Sequence, residues 1–186
     1  GKIKEFKKLL TDLNVEIKTT FDYDNVPEVI EDGQTLRANA LKKARELAEF
    51  SGMLTIADDT GLLVDALDGK PGVYSARYAG EDVTYEENNK KLLQELSGVE
   101  AQGRTARFKT VIALVSSQGK EEVVTGCCEG IISSKLRGKR GFGYDPLFIP
   151  EGYDRTFAEL SAETKNQISH RAKALTKLKK VLSRDW

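Results

Sequence analysis

Two long β-prone stretches, residues 104 to 117 and 121 to 132, are separated only by Gln118, Gly119 and Lys120. A short turn containing glycine sends the second stretch back along the first, so the pair predicts an extended antiparallel hairpin. A two-stranded ribbon is not stable alone in water, and its apolar faces need further strands and covering helices. The rest of the chain has to supply them.

Helical periodicity provides the covers. Residues 3 to 13 put Ile3, Phe6, Leu9, Leu10 and Leu13 on one face and lysines on the other. A second helix is predicted from about Thr35 to Ser51, with Leu36, Ala40, Ala44, Leu47 and Ala48 as its buried stripe and Gly52 as its stop. In "TYEENNKKLLQELSG", Thr84 and Glu87 form a capping box, Leu92, Leu93 and Leu96 face inward, and Gly98 ends the helix. The last helix is predicted over 162 to 183, with Ile168, Ala172, Leu175, Leu178 and Leu182 inward. Three shorter pieces read as strands. "VEIKTT" (15 to 20) alternates, "MLTIA" (53 to 57) is a continuous apolar run of the kind buried on both faces, and "LFI" lies within the glycine-rich loop 137 to 152. We expect one α/β domain over residues 1 to 186, with a mixed central sheet carrying the long hairpin, helices on both faces, and two lobes with an active-site cleft between them.

With 29 basic and 29 acidic residues the formal net charge is zero, so no global field attracts nucleic acid or an anionic membrane. Any bound phosphate must be held by local groups. No apolar run approaches the roughly 18 to 20 residues of a membrane span, and the basic start "GKIKEFKKLL" lacks a signal peptide's apolar stretch. Cys127 and Cys128 are neighbours on a predicted strand and point to opposite faces, which disfavours a disulfide; two cysteines are also too few for a zinc site. These features fit a soluble cytoplasmic protein with neither membrane nor nucleic acid as partner.

In "IADDTGLLVD" a buried-looking strand stops at Asp58 and Asp59 and the apolar pattern resumes after Thr60 and Gly61. Aspartate and glycine are good turn residues, and a turn is one explanation. The other is a catalytic site, because ligands of open α/β sheets gather beyond strand ends, and two carboxylates there repel unless a cation joins them. Mg²⁺ suits hard oxygen ligands and needs only one or two carboxylates. Glu28, Glu31 and Asp32, just before the second helix, form an acidic cluster able to supply the second ligand.

The loop "RGKRGFGYDP" combines glycines, which let backbone N–H groups approach an anion or a base edge, with Arg137, Lys139 and Arg140. By itself the motif is weak evidence, and a purely structural turn is the leading explanation. Phe142 is either a ring exposed for stacking on a nucleobase or an anchor for the loop. Around "NQISHRAKAL", Lys165, Ser169, His170 and Arg171 fall within about one and a half helical turns. They are either a solvated helix face or a set of donors; a donor-only site would accept a 6-oxo purine and leave groups unpaired against a 6-amino one.

Taken together and in order, "IADDTGLLVDAL", "GKPGVYSARYAG", "GFGYDPLFIP" and "ISHRAKAL" closely resemble the inosine triphosphate pyrophosphatase family over essentially the whole chain. The resemblance implies a Mg²⁺-dependent homodimeric hydrolase that converts ITP, dITP and XTP to the monophosphate and pyrophosphate. It implies that Asp59 is the catalytic acid and a metal ligand, that Glu31 is the other metal-binding carboxylate, and that Thr60 takes a substrate-contacting serine's place. Phe142, Gly143, Tyr144 and Asp145 look like the base pocket, with Phe142 stacking on the purine and Asp145 bonding its edge. Lys165, His170 and Arg171 match further substrate contacts, and Lys2 matches a phosphate-binding lysine.

Two departures stand out. Family members usually open with a strand and a loop resembling "ATxNxGK", and this sequence begins at the final "GK"; a polypeptide starting at Gly1 is expected to bind triphosphate weakly and to expose a sheet edge. In "LRANALKKA", Arg37 and Ala38 stand where a glutamate is common, so metal binding would rest on Glu31 and Asp59. A nucleotide-binding sensor without turnover and a pyrophosphatase for other modified nucleotides are the alternative functions.

Overall fold

The computed structural model describes Phe6 and residues 15 to 186. Lys2 and most of the predicted helix over 3 to 13 lie outside the described residues; Phe6 is helical and packs against a core cluster. The described sheet has four strands in sequence order, β1 (Thr55–Val64), β2 (Thr105–Val115), β3 (Glu121–Ile132) and β4 (Phe148–Pro150), every neighbouring pair antiparallel. The predicted hairpin is β2 and β3, closed where the Ser116 N–H donates to the Lys120 carbonyl at 2.9 Å and Gly119 adopts φ +82°.

Alternation along β2 distributes the helices. Val111, Ala113 and Val115 join Ala57 of β1 and the apolar stripe of α1 (Leu36–Ser51) in one cluster. Ile112 and Leu114 point the other way and join Val124 with Ala174, Leu175 and Leu178 of the C-terminal helix. Period-two burial therefore places a helix on each face. α1 begins where the Thr35 hydroxyl accepts the Ala38 N–H and ends at Gly52 in the left-handed conformation, both as its sequence predicts. α2 (Tyr85–Glu95) carries the predicted Thr84–Glu87 capping box.

A larger cluster fills the other end of the hairpin, where Leu62, Phe108, Ile132, Phe148 and Phe157 meet Leu92 and Leu96. Between the two ends, the residues opposite one another across the sheet are Thr60, Thr110 and Gly126, polar or without a side chain.

Three elements differ from the sequence reading. Residues 15 to 19 form no ladder with any described strand, Val15 is 57% exposed, and a 3₁₀ turn follows at Thr20–Asp22; alternation alone makes no strand without a paired neighbour. β1 does not stop at Asp58 and Asp59 but continues to Val64, pairing Asp58 with Ile112 and Asp59 with Val111. The predicted last helix is two, α3 (Ala162–Ile168) and α4 (His170–Asp185), because Ser169 is extended at ψ 156° and its hydroxyl caps α4 by accepting the Ala172 N–H at 3.2 Å. The break starts α4 at His170 and Arg171.

α4 approaches β3 so closely that a Cβ on Gly126 would lie 2.0 Å from the His170 carbonyl oxygen and 2.4 Å from the Ala174 nitrogen. Both are backbone atoms, so the helix itself would have to move. Gly126→Ala is expected to cost about 1 to 3 kcal/mol, read as a lower urea midpoint.

Cys127 is half-buried and Cys128 buried, and both are free thiols. Burial pushes the Cys128 thiol up to about 11, leaving almost no thiolate at pH 8. Iodoacetamide at that pH is expected to label the native chain once and the denatured chain twice, read by intact mass.

No helix among the described residues is long and apolar enough to cross a membrane.

Candidate active site

Because Asp58 and Asp59 are consecutive on a continuous strand, their side chains leave opposite faces. Mutual repulsion is therefore not what would draw a cation. Asp58 shares a face with Thr60, whose hydroxyl donates to Asp58 Oδ2 at 3.3 Å and meets the Thr110 hydroxyl at 2.8 Å. Asp59 points toward α1 and is 8% exposed.

α1 builds the surroundings of Asp59. Asn39, 1% exposed, donates its Nδ2 to Asp59 Oδ2 at 3.2 Å, while its Oδ1 accepts the Gly33 N–H at 2.7 Å. One amide thus fixes both the acid and the loop that carries Glu31 and Asp32. One helical turn along, Lys43 Nζ lies 3.0 Å from Glu31 Oε1 and 3.7 Å from Asp59 Oδ1. Burial pushes the Asp59 carboxyl up; Lys43 opposes the shift, the nearby Glu31 charge adds to it, and the Asn39 and Thr60 hydrogen bonds oppose it. A base less acidic than a free aspartate is better matched to taking a proton near neutral pH. Asp32, the third acid predicted here, pairs outward with Lys42 at 2.8 Å.

The described residues contain no group of three or more histidine, cysteine, aspartate or glutamate side chains able to hold a metal. Two carboxylates, Glu31 and Asp59, do converge on one cation, the Lys43 ammonium. That donor set suits a hard divalent ion taking its remaining ligands from water and phosphate.

The second cluster surrounds Phe142, 41% exposed. Lys165 Nζ is 5.1 Å and Arg171 Cζ 5.8 Å from its ring centroid, and Tyr85 of α2 lies 6.4 Å from it. Beneath the loop, Asp145 Oδ2 accepts the Phe142 N–H at 2.9 Å and the Lys165 ammonium. Gly141 has to be glycine here: its φ is +80°, and a Cβ would fall 2.0 Å from Asp145 Oδ2.

Of the four predicted pocket residues, Phe142 and Gly143 are accessible, whereas Asp145 is 3% and Tyr144 4% exposed. Asp145 bonds the loop backbone and Lys165, and the Tyr144 hydroxyl donates to the Ser75 carbonyl at 2.9 Å. His170, 5% exposed, stacks on Phe108 at 4.7 Å and 19°. Arg171 is 3% exposed.

The 3₁₀ segment Gly72–Arg77 connects the two clusters. Arg77 Nη2 donates to the Glu31 carbonyl at 3.1 Å, and the Ser75 carbonyl accepts the Tyr144 hydroxyl from the glycine-rich loop. The sequence reading missed Asn39, Lys43, Arg77 and Asn89. Asn39 and Asn89 had a signal, each an amide within the apolar stripe of a helix.

The Ham1 family model matches residues 1–181. The dITP/XTP pyrophosphatase of Shouchella clausii is 54% identical over 187 residues, covering 100% of this chain and 93% of that protein. The dITP/XTP pyrophosphatase of Desulforamulus reducens is 50% identical, covering 99% and 92%. Among solved structures, a HAM1 protein from Coxiella burnetii aligns with a TM-score of 0.92 at 41% identity, covering 98% of this chain and 93% of its own. A nucleoside-triphosphatase / dITP/XTP pyrophosphatase from Mycobacterium abscessus aligns with a TM-score of 0.81 at 42% identity, covering 95% and 92%.

Proposed function

This chain belongs to the Ham1 family, and on that premise we propose that it hydrolyses ITP, dITP and XTP to the nucleoside monophosphate and pyrophosphate. The observation that supports this reading best is the juxtaposition, through Gly72–Arg77, of a buried acid facing a lysine and a second acid with an exposed ring flanked by two cations.

In the proposed reaction the triphosphate lies between the clusters, with its base on Phe142. Asp59, held by Asn39 and the Thr60 N–H, takes a proton from a water whose oxygen attacks the α-phosphorus. The bond from that phosphorus to the bridging oxygen breaks, and pyrophosphate leaves with the electron pair. Lys43 and Lys165 supply positive charge near the acid and near the base. Glu31 and Asp59 would hold Mg²⁺, which when bound neutralises phosphate charge.

Base choice rests on Lys165, His170 and Arg171 as donors for a 6-oxo group. Burial of His170 and Arg171 makes a mismatched 6-amino group costly, since a donor facing a donor is left unpaired. We place Thr60 beside the phosphates. The working form proposed is a cytoplasmic homodimer.

The test is turnover in ¹⁸O-labelled water with Mg²⁺ and ITP. Label in the monophosphate together with stoichiometric pyrophosphate is the expected result; release of inorganic phosphate, or binding without turnover, would refute the assignment.

A further inference from the structure

α2 carries two adjacent buried asparagines, Asn88 and Asn89, 2% and 4% exposed, beside the inward Leu92. A buried amide is costly unless hydrogen-bonded, so their partners matter. Asn88 Oδ1 accepts the Ala79 N–H at 2.7 Å and its Nδ2 donates to the Ala76 carbonyl at 2.9 Å, gripping the segment around Arg77. Asn89 Nδ2 donates to the Gly143 carbonyl at 2.9 Å. The Tyr144–Ser75 bond closes the circuit, and the Ser75 hydroxyl is tied to β1 by accepting the Leu62 N–H at 2.9 Å. Neighbouring positions on a helix point about 100° apart, so two consecutive side chains can serve two loops.

The Phe142 ring is too exposed to be fixed by its own packing. Its position depends on the backbone either side of it: the Phe142 N–H, bonded to Asp145, and the Gly143 carbonyl, bonded to Asn89. Gly143 has φ +60°, a conformation without a Cβ to steady it.

We propose that Asn89 is a positioning residue for base binding, holding the Phe142 ring where a purine stacks by fixing the Gly143 peptide. The inference rests on the reading of Phe142 as the base platform.

Asn89→Leu keeps similar volume and withdraws the donor. With ITP, KM is expected to rise about tenfold while kcat changes less than about twofold, as the loss of one hydrogen bond to a binding element predicts. Hydrogen exchange should quicken at residues 142 to 145 and stay at the parental rate in β2 and β3, whereas general destabilisation would quicken both. Asn89→Ser withdraws the same donor and carries the same expectation should the leucine variant not fold; Asn89→Gln, which keeps a donor, should recover most of the parental KM. Parental KM together with parental loop exchange in the leucine or serine variant would overturn the proposal. If the parent protein does not turn over ITP, the functional reading fails by itself, and the exchange comparison still decides whether Asn89 holds the loop.

Discussion

Asp59→Asn is expected to lower ITP turnover by about 10²- to 10⁴-fold, the range that one positioned general base contributes. The amide keeps the carboxylate's shape, and an amide oxygen can still accept from Asn39 or the Thr60 N–H, so the fold should survive. Stability is expected to change little when measured without divalent cation, because relief of the buried charge offsets the one donor, Asn39 Nδ2 or the Thr60 N–H, left facing the amide nitrogen. Burial raises the Asp59 carboxyl, so the folded chain favours the protonated form and loses that contribution as pH rises through the shifted range. The neutral amide has no such loss. Rate and urea midpoint measured together separate the effects: a dead but stable variant supports the role of Asp59, and unchanged turnover refutes it.

Phe142→Ala is the second large effect. Stacking of a base on an aromatic ring contributes roughly 1 to 3 kcal/mol, so KM for ITP is expected to rise about 5- to 150-fold. The ring is 41% exposed, and its removal leaves the Asp145 bonds to the loop backbone and Lys165 in place. The thermal midpoint should therefore move little. A large fall in stability with unchanged KM would make Phe142 a loop anchor, the other reading its sequence context allows.

Features governed by near neighbours were legible in the sequence. The β2–β3 hairpin follows from its turn and alternation, and the Thr84–Glu87 box marks the start of α2. Ser169 shows the limit of local reading: a serine inside an apolar helical period looks like one more helical residue, and only the extended backbone turns it into a cap. The acid pair shows it again. Two charges read locally as the end of a strand, yet β1 continues because α1 brings Asn39 and Lys43 to Asp59, while Thr60 satisfies Asp58 on the other face.

The candidate site divides the same way. Phe142, Lys165 and Arg171 lie in contiguous motifs and do assemble around one ring. Asp145 belongs to the same motif and is buried, its carboxylate filling the space that Gly141 leaves by lacking a Cβ. Asn39, Lys43, Arg77 and Asn89 act on residues 6 to 54 positions away. No pattern within a helix announces such partners.

Base discrimination at an intact catalytic centre is read by the ratio of kcat/KM for ITP to that for ATP, measured with Mg²⁺ by pyrophosphate release. A donor-lined site predicts a ratio of at least about 10². Equal values for the two nucleotides would contradict it.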